Sequence, residues 1–142
     1  MHGVERFEDL LTWQLLHELE GEIARVTQHE AVKRELRFRS QITDAAGSAV
    51  RNVAEGFGRY NPTEFARFLD VSRASALEVQ ACLQTALTAG WIARSEFDRL
   101  YSLTNRGLQA VARFQRYLRS PQAKANARRF RYSKSRGTRA DG

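Results

Sequence analysis

The groups in this chain best suited to chemistry are its arginines, its three histidines, and the stretch Arg51-Asn52-Val53-Ala54-Glu55-Gly56-Phe57-Gly58-Arg59. Arg99, Arg106 and Arg113 recur every seven residues, and Arg116 and Arg119 extend the series. Seven residues return a helix to nearly the same face, so the spacing predicts one cationic track roughly opposite an apolar stripe. Beyond Pro121, Arg128, Arg129, Arg131, Lys134, Arg136 and Arg139 surround Phe130 and Tyr132. Cationic side chains neutralise phosphates and interleaved rings stack on bases, so this pattern suits RNA or DNA held without sequence readout. A solvated helix face with a solubilising tail is the plainer alternative.

Other chemistries find less support. Carboxylate metal centres in helical bundles use Glu-x-x-His pairs, and no such pair occurs. His2, His17 and His29 offer no second ligand at helical spacing, since Gly21 stands where a partner to His17 would fall. No metal and no cofactor are expected. Gly-x-Ser-x-Gly is missing, and Cys82 adjoins Leu83 on an apolar face, which reads as an inert thiol. Glu55, Glu64 and Glu78 have plainer roles in capping or pairing, so the expectation is a protein that is not an enzyme.

Gly56-Phe57-Gly58-Arg59 lacks the Gly-Lys-Ser/Thr ending and the preceding strand of a phosphate loop. Gly56 is expected instead to end a helix in the left-handed conformation, and Gly58 to turn the chain. Asn52 and Glu55, three apart, are expected to meet Arg59 and the open amides of the next helix. Arg73, Ser75 and Glu78 would complete this polar joint. Ligand or nucleic-acid binding at the joint is the alternative.

The elements that position these groups read as all-α, because apolar residues recur at three- and four-residue spacing. A first helix over about Glu8 to Gln28 carries Leu15, Leu16, Leu19, Ile23 and Val26 on one stripe. Phe7, Leu10 and Trp13 fall on its other side and are expected to bury against another copy of the chain; alternatively, Trp13 covers the edge of the bundle. A second helix runs from near Ala31 to Gly56, with small residues at Ala45, Ala46 and Ala49. Asn61, Pro62 and Glu64 have the spacing of a capped start for the third, and Ala89-Gly90 ends it. The fourth begins near Ser95 and closes at Pro121.

Four such helices with short connections pack most simply as an antiparallel up-down-up-down bundle over residues 1–120. Residues 121–142 are then expected to form a basic, flexible tail, helical at most in its first turns. The formal charge of +7 is uneven: −5 over residues 1–30, +3 over 31–75, +3 over 76–120 and +6 over 121–142. One cysteine precludes an intrachain disulfide. No apolar run is long enough for a bilayer and no signal is evident, so a cytoplasmic protein without membrane contact is expected.

Several segments together resemble a known family. They are Phe7 with Leu11-Thr12-Trp13-Gln14; Gln41-Ile42 with Ala45-Ala46; Asn52-Val53-Ala54-Glu55-Gly56-Phe57-Gly58-Arg59; and Glu64-Phe65 with Phe68-Leu69. Ser72-Arg73-Ala74-Ser75, Glu78 and Ala89-Gly90-Trp91-Ile92 continue the series. In these, residues 7–118 resemble the bacterial four-helix-bundle proteins named for rRNA intervening sequences. Two departures are local: Thr43-Asp44 stands where many relatives have an arginine pair, and Ala93 where a Ser or Thr cap is common. The resemblance implies an antiparallel bundle assembled as a homo-pentameric ring. It also implies kinship with accessory proteins of diversity-generating retroelements, which bind nucleic acid and a reverse transcriptase. The expected function is therefore an oligomeric, non-enzymatic binder of RNA or DNA phosphates. The alternative is a scaffold or accessory subunit for a protein partner such as a reverse transcriptase.

Overall fold

Residues 4–127 are described by a computed structural model, and within them the apolar spacing produces helices and no strand. A 3-10 turn at Phe7–Asp9 precedes α1 (Leu11–Val26), α2 (Leu36–Phe57), α3 (Pro62–Ala89) and α4 (Arg94–Leu118). Residues 121–127, the first turns of the expected tail, are helical as well. Ala123 is only 4% exposed and anchors this last segment.

Two boundaries differ from the sequence reading for local reasons. Leu10 is extended (φ −75°, ψ 127°), which separates the 3-10 turn from α1 and starts the helix three residues later than expected. Residues 27–35 are not the start of α2 but a chain of hydrogen-bonded turns, with Val32 N and Lys33 N both donating to His29 O at 2.9 Å. The turns drop Val32, 0% exposed, into the core. The start of α3 is as the capping residues predict: Asn61 Oδ1 accepts from Thr63 N at 3.0 Å and Glu64 N at 3.1 Å, and Pro62 occupies the first turn.

Gly90 ends α3 at φ +76°, in the left-handed region where a side chain is strained. Gly56 does not. It lies within α2, and among the described residues the other positive φ belongs to Tyr60, at 54°. The physical need at Gly56 is space: a Cβ there would stand 2.6 Å from Phe65 Cδ1 and 3.0 Å from Phe68 Cβ. Gly58, at φ −69°, is an ordinary right-handed cap.

Helices adjacent in sequence pack together and α1 also meets α4, closing a bundle around one core. Leu16, Leu19, Ile23, Ile42, Leu69 and Leu100 are each at most 1% exposed. Burying each such side chain contributes about 1.5–3 kcal/mol before entropy is counted. Among the described residues the buried side-chain nitrogen and oxygen atoms are hydrogen-bonded, as burial requires, except Arg39 Nε, which has no partner. Ser72 Oγ donates to Ala49 O at 2.8 Å, Ser75 Oγ bonds Ser48 Oγ at 2.8 Å, and Gln80 Nε2 donates to Asn105 Oδ1 at 2.7 Å. Gln115 Nε2 reaches Ala66 O at 3.1 Å and Asp70 Oδ1 at 2.7 Å. Among the described residues, no helix is long and apolar enough to cross a membrane.

Candidate nucleic-acid interface

α4 buries Leu100, Leu103, Gly107, Ala110, Val111 and Leu118 and exposes all five arginines of the predicted track. The track is not continuous, and it does not lie opposite the apolar stripe. Arg99, Arg106 and Arg113 flank the seam with α1. Arg99 Nη1 donates to Glu22 Oε2 at 3.0 Å, and Arg106 and Arg113 line a groove against the start of α1. Arg119 turns the other way and pairs with Asp70 of α3 at 3.6 Å. The cause is the mismatch between a seven-residue repeat and 3.6 residues per turn, to which the three-residue steps from Arg113 to Arg116 to Arg119 add. Arg106, Arg113 and Arg116 make no hydrogen bond or ion pair among the described residues.

The groove is open and has a volume of about 560 Å³. Leu10, Leu11 and Leu15 form one wall, and Ala110, Phe114 and Tyr117 the other. Asp9 and Gln109 also reach its lining. Leu11 is 60% exposed there, although it stands four residues before the buried Leu15 on the same helical stripe. That phase makes Leu11 look like core in the sequence. Only the packing of α4 shows that it is a surface residue, and Asp9, Gln109 and Tyr117 carry no sequence signal for this place at all.

The second apolar face expected of Phe7, Leu10 and Trp13 is largely satisfied within one chain. Because Phe7 and Leu10 precede α1, the helical phase argument does not apply to them. Leu10 is buried at 6% exposure. The 3-10 turn folds Phe7 back onto Trp13 and Phe57, with ring centroids 5.5 and 6.4 Å away. Trp13 stacks on His17 at 4.4 Å.

The polar joint does not assemble either. Asn52 Nδ2 donates within its own helix, to Ser48 O at 2.8 Å and Ser48 Oγ at 3.2 Å. Arg59 lies over the Phe68 ring at 5.1 Å. Glu55, Arg73 and Glu78 are exposed and make no hydrogen bond or ion pair among the described residues. The amides at the start of α3 are met by Asn61 alone, which leaves Glu55 without the partners proposed for it.

His29 Nε2 bonds Glu96 Oε1 at 2.8 Å and ties the connection after α1 to the first turn of α4. Among the described residues, no group of three or more His, Cys, Asp or Glu side chains could hold a metal ion. His2 lies outside the described residues. Cys82 is buried, and desolvation together with the charge of Glu78 pushes its thiol pKa up, away from the nucleophilic thiolate. Arg128, Arg129, Phe130, Arg131, Tyr132, Lys134 and Arg136 also lie outside the described residues. Residues 128–142 hold six of the 23 basic and one of the 16 acidic side chains, leaving the described body at +2. The chain reaches this segment from the groove end of the bundle, since Asn126 Nδ2 contacts the Tyr117 hydroxyl at 3.4 Å.

The family model described as 23S rRNA-intervening sequence protein matches residues 8–112. No curated protein matches the chain.

Proposed function

The chain belongs to the 23S rRNA-intervening sequence protein family, and from that premise we propose that it is an oligomeric, non-enzymatic protein that binds RNA or DNA phosphates largely without sequence specificity. The observation that carries this reading is one of charge placement. Among the described residues Arg106 and Arg113 stand unpaired beside the groove, at the end of the body from which the chain continues into six more cations with Phe130 and Tyr132 among them. Exposed cations without internal partners bring binding energy from released counterions at no cost in broken ion pairs. No base-reading motif accompanies them.

The bundle is read as antiparallel, up-down-up-down. Supporting this, Glu22 near the end of α1 meets Arg99 near the start of α4, while Leu11 at the start of α1 shares a groove with Arg113 and Tyr117 near the end of α4. The homo-pentameric ring implied by the resemblance would multiply weak contacts by effective concentration. A cytoplasmic setting fits a charge-dependent binder of this kind. The second reading, a scaffold for a protein partner such as a reverse transcriptase, is favoured by Leu36, Val71 and Leu77, which are 70%, 46% and 44% exposed.

Fluorescence anisotropy with two unrelated RNA and two unrelated DNA oligonucleotides tests the proposal. Affinities should agree within roughly tenfold and fall together as salt rises. Absence of binding at low salt, or a preference of more than about a hundredfold for one sequence, would refute it. Pull-down with and without nuclease decides between the readings, because a protein partner survives digestion.

A further inference from the structure

Resting on the nucleic-acid reading above, we infer that the groove between α1 and α4 holds an unpaired base of a single strand, with Arg106 and Arg113 on phosphates about three nucleotide steps apart on either side of it. The two arginines are seven residues apart on one helix, about 10.5 Å along its axis. That is the reach of about three nucleotide steps at 3.4 Å each along a stacked strand. Between them lies an apolar wall at Ala110, faced by the exposed Leu11. Charge at the rim and an apolar floor match a ligand whose charged backbone alternates with flat, poorly hydrated rings.

The remaining polar groups of the groove fit the edge of a base. Asp9 is the one acid among the lining residues, and its carboxylate makes no hydrogen bond or ion pair among the described residues. It opposes a phosphate but accepts from an exocyclic amino group. Gln109, exposed on the same side of α4, offers both donor and acceptor. A duplex keeps its base faces stacked inside and would contact the arginines only, leaving the floor empty.

An acidic amphipathic peptide shares the charge and the apolar body, but the surroundings favour the nucleic acid. The segment that packs on Tyr117 leads into 15 residues carrying six cations and two aromatic rings. An extended chain of that length reaches up to about 50 Å. A strand crossing the groove therefore stays within range of further cations and rings; an acidic peptide would use the cations too, but only the strand supplies flat base faces for the rings to stack on.

The test uses the full chain and a fluorescein-labelled oligoadenylate, single-stranded or annealed to oligothymidylate, read by anisotropy at fixed salt. Leu11→Gln leaves the charge unchanged at an exposed position, and a thermal melt checks its fold. It should weaken single-strand binding about fivefold or more and leave duplex binding within about twofold. Arg106→Gln with Arg113→Gln should weaken both forms by about tenfold or more. The inference is overturned if Leu11→Gln leaves single-strand binding unchanged or weakens both forms equally. It is also overturned if a Leu/Glu-rich amphipathic peptide binds more tightly than the single strand and loses that affinity in Leu11→Gln. Wild-type binding to neither oligonucleotide sinks the broader reading as well. Binding to both with a silent floor variant removes only the groove.

Discussion

Removing residues 128–142 separates the charge of the tail from that of the body. The cut belongs after Ala127 and not at Pro121, because Ala123 is 4% exposed and packs against the bundle. In the body Arg99 and Arg119 are occupied by Glu22 and Asp70, which leaves Arg106, Arg113, Arg116 and Lys124 near the groove end. The tail adds six cations. If all ten neutralise phosphates of a single strand, log K falls with log salt at a slope of about −7, and the truncated chain keeps about −2.8. Between 50 and 200 mM salt, the full chain should lose about 10,000-fold in affinity and the truncated chain about 50-fold. These are upper limits for one chain, but their difference is robust because it counts only deleted charges. Anisotropy titrations of a labelled single strand at four salt concentrations measure both slopes. Equal slopes for the two proteins would refute the role given to the tail, and a flat slope for both would refute phosphate neutralisation altogether.

Gly56→Ala should lower the melting temperature by roughly 3–8 °C. The new methyl meets Phe65, which is boxed in by Phe57 and Phe114 at 6.3 and 5.0 Å, so an overpacking cost of about 1–3 kcal/mol outweighs a helix-propensity gain of up to about 1 kcal/mol. Gly21→Ala, with nothing within 4 Å of the new Cβ, should instead raise stability by about 0.5–1 kcal/mol in urea titrations. Asn61→Ala should cost about 1 kcal/mol through loss of the α3 cap, whereas Glu55→Gln at an exposed, unpaired site should stay within about 0.5 kcal/mol in the same assay. Cys82 should react with a thiol reagent at pH 8 at least about a hundredfold more slowly than in the denatured chain, since its raised pKa and burial both deplete accessible thiolate. Because the native thiol keeps its proton to higher pH than the unfolded one, Cys82 stabilises the fold below the unfolded thiol pKa. That contribution fades as pH rises through the native pKa.

What the sequence disclosed well was whatever depends on near neighbours. The Asn61-Pro62-Glu64 start and the Gly90 end of α3 are local hydrogen-bond solutions, and the residues that make them lie within one turn. Gly56 was misread because its role depends on Phe65 and Phe68 across the α2–α3 contact, while a glycine near a helix end is locally indistinguishable from a left-handed cap. Helical spacing puts Phe7 and Leu10 on a second face of α1, but the 3-10 turn breaks the register before that helix begins. The arginine repeat was plainly visible, but which side of α4 it occupies is set by where α1 and α3 pack. Leu11 shows the same limit from the other direction, sharing the phase of the core and yet lying at the surface.

The contact between α2 and α3 carries a mechanical consequence. Sliding one helix along the other by a turn would strand the fully buried Ser72 hydroxyl, which now bonds Ala49 O, and drive Phe65 against a residue bearing a Cβ. This pair therefore behaves as a rigid spine. On the opposite side α1 is tethered to α4 by the Arg99–Glu22 pair, in which the guanidinium is 56% exposed and readily exchanged for solvent. The polar tie across the α1–α4 seam is therefore weaker than the buried hydroxyl bond that locks α2 to α3.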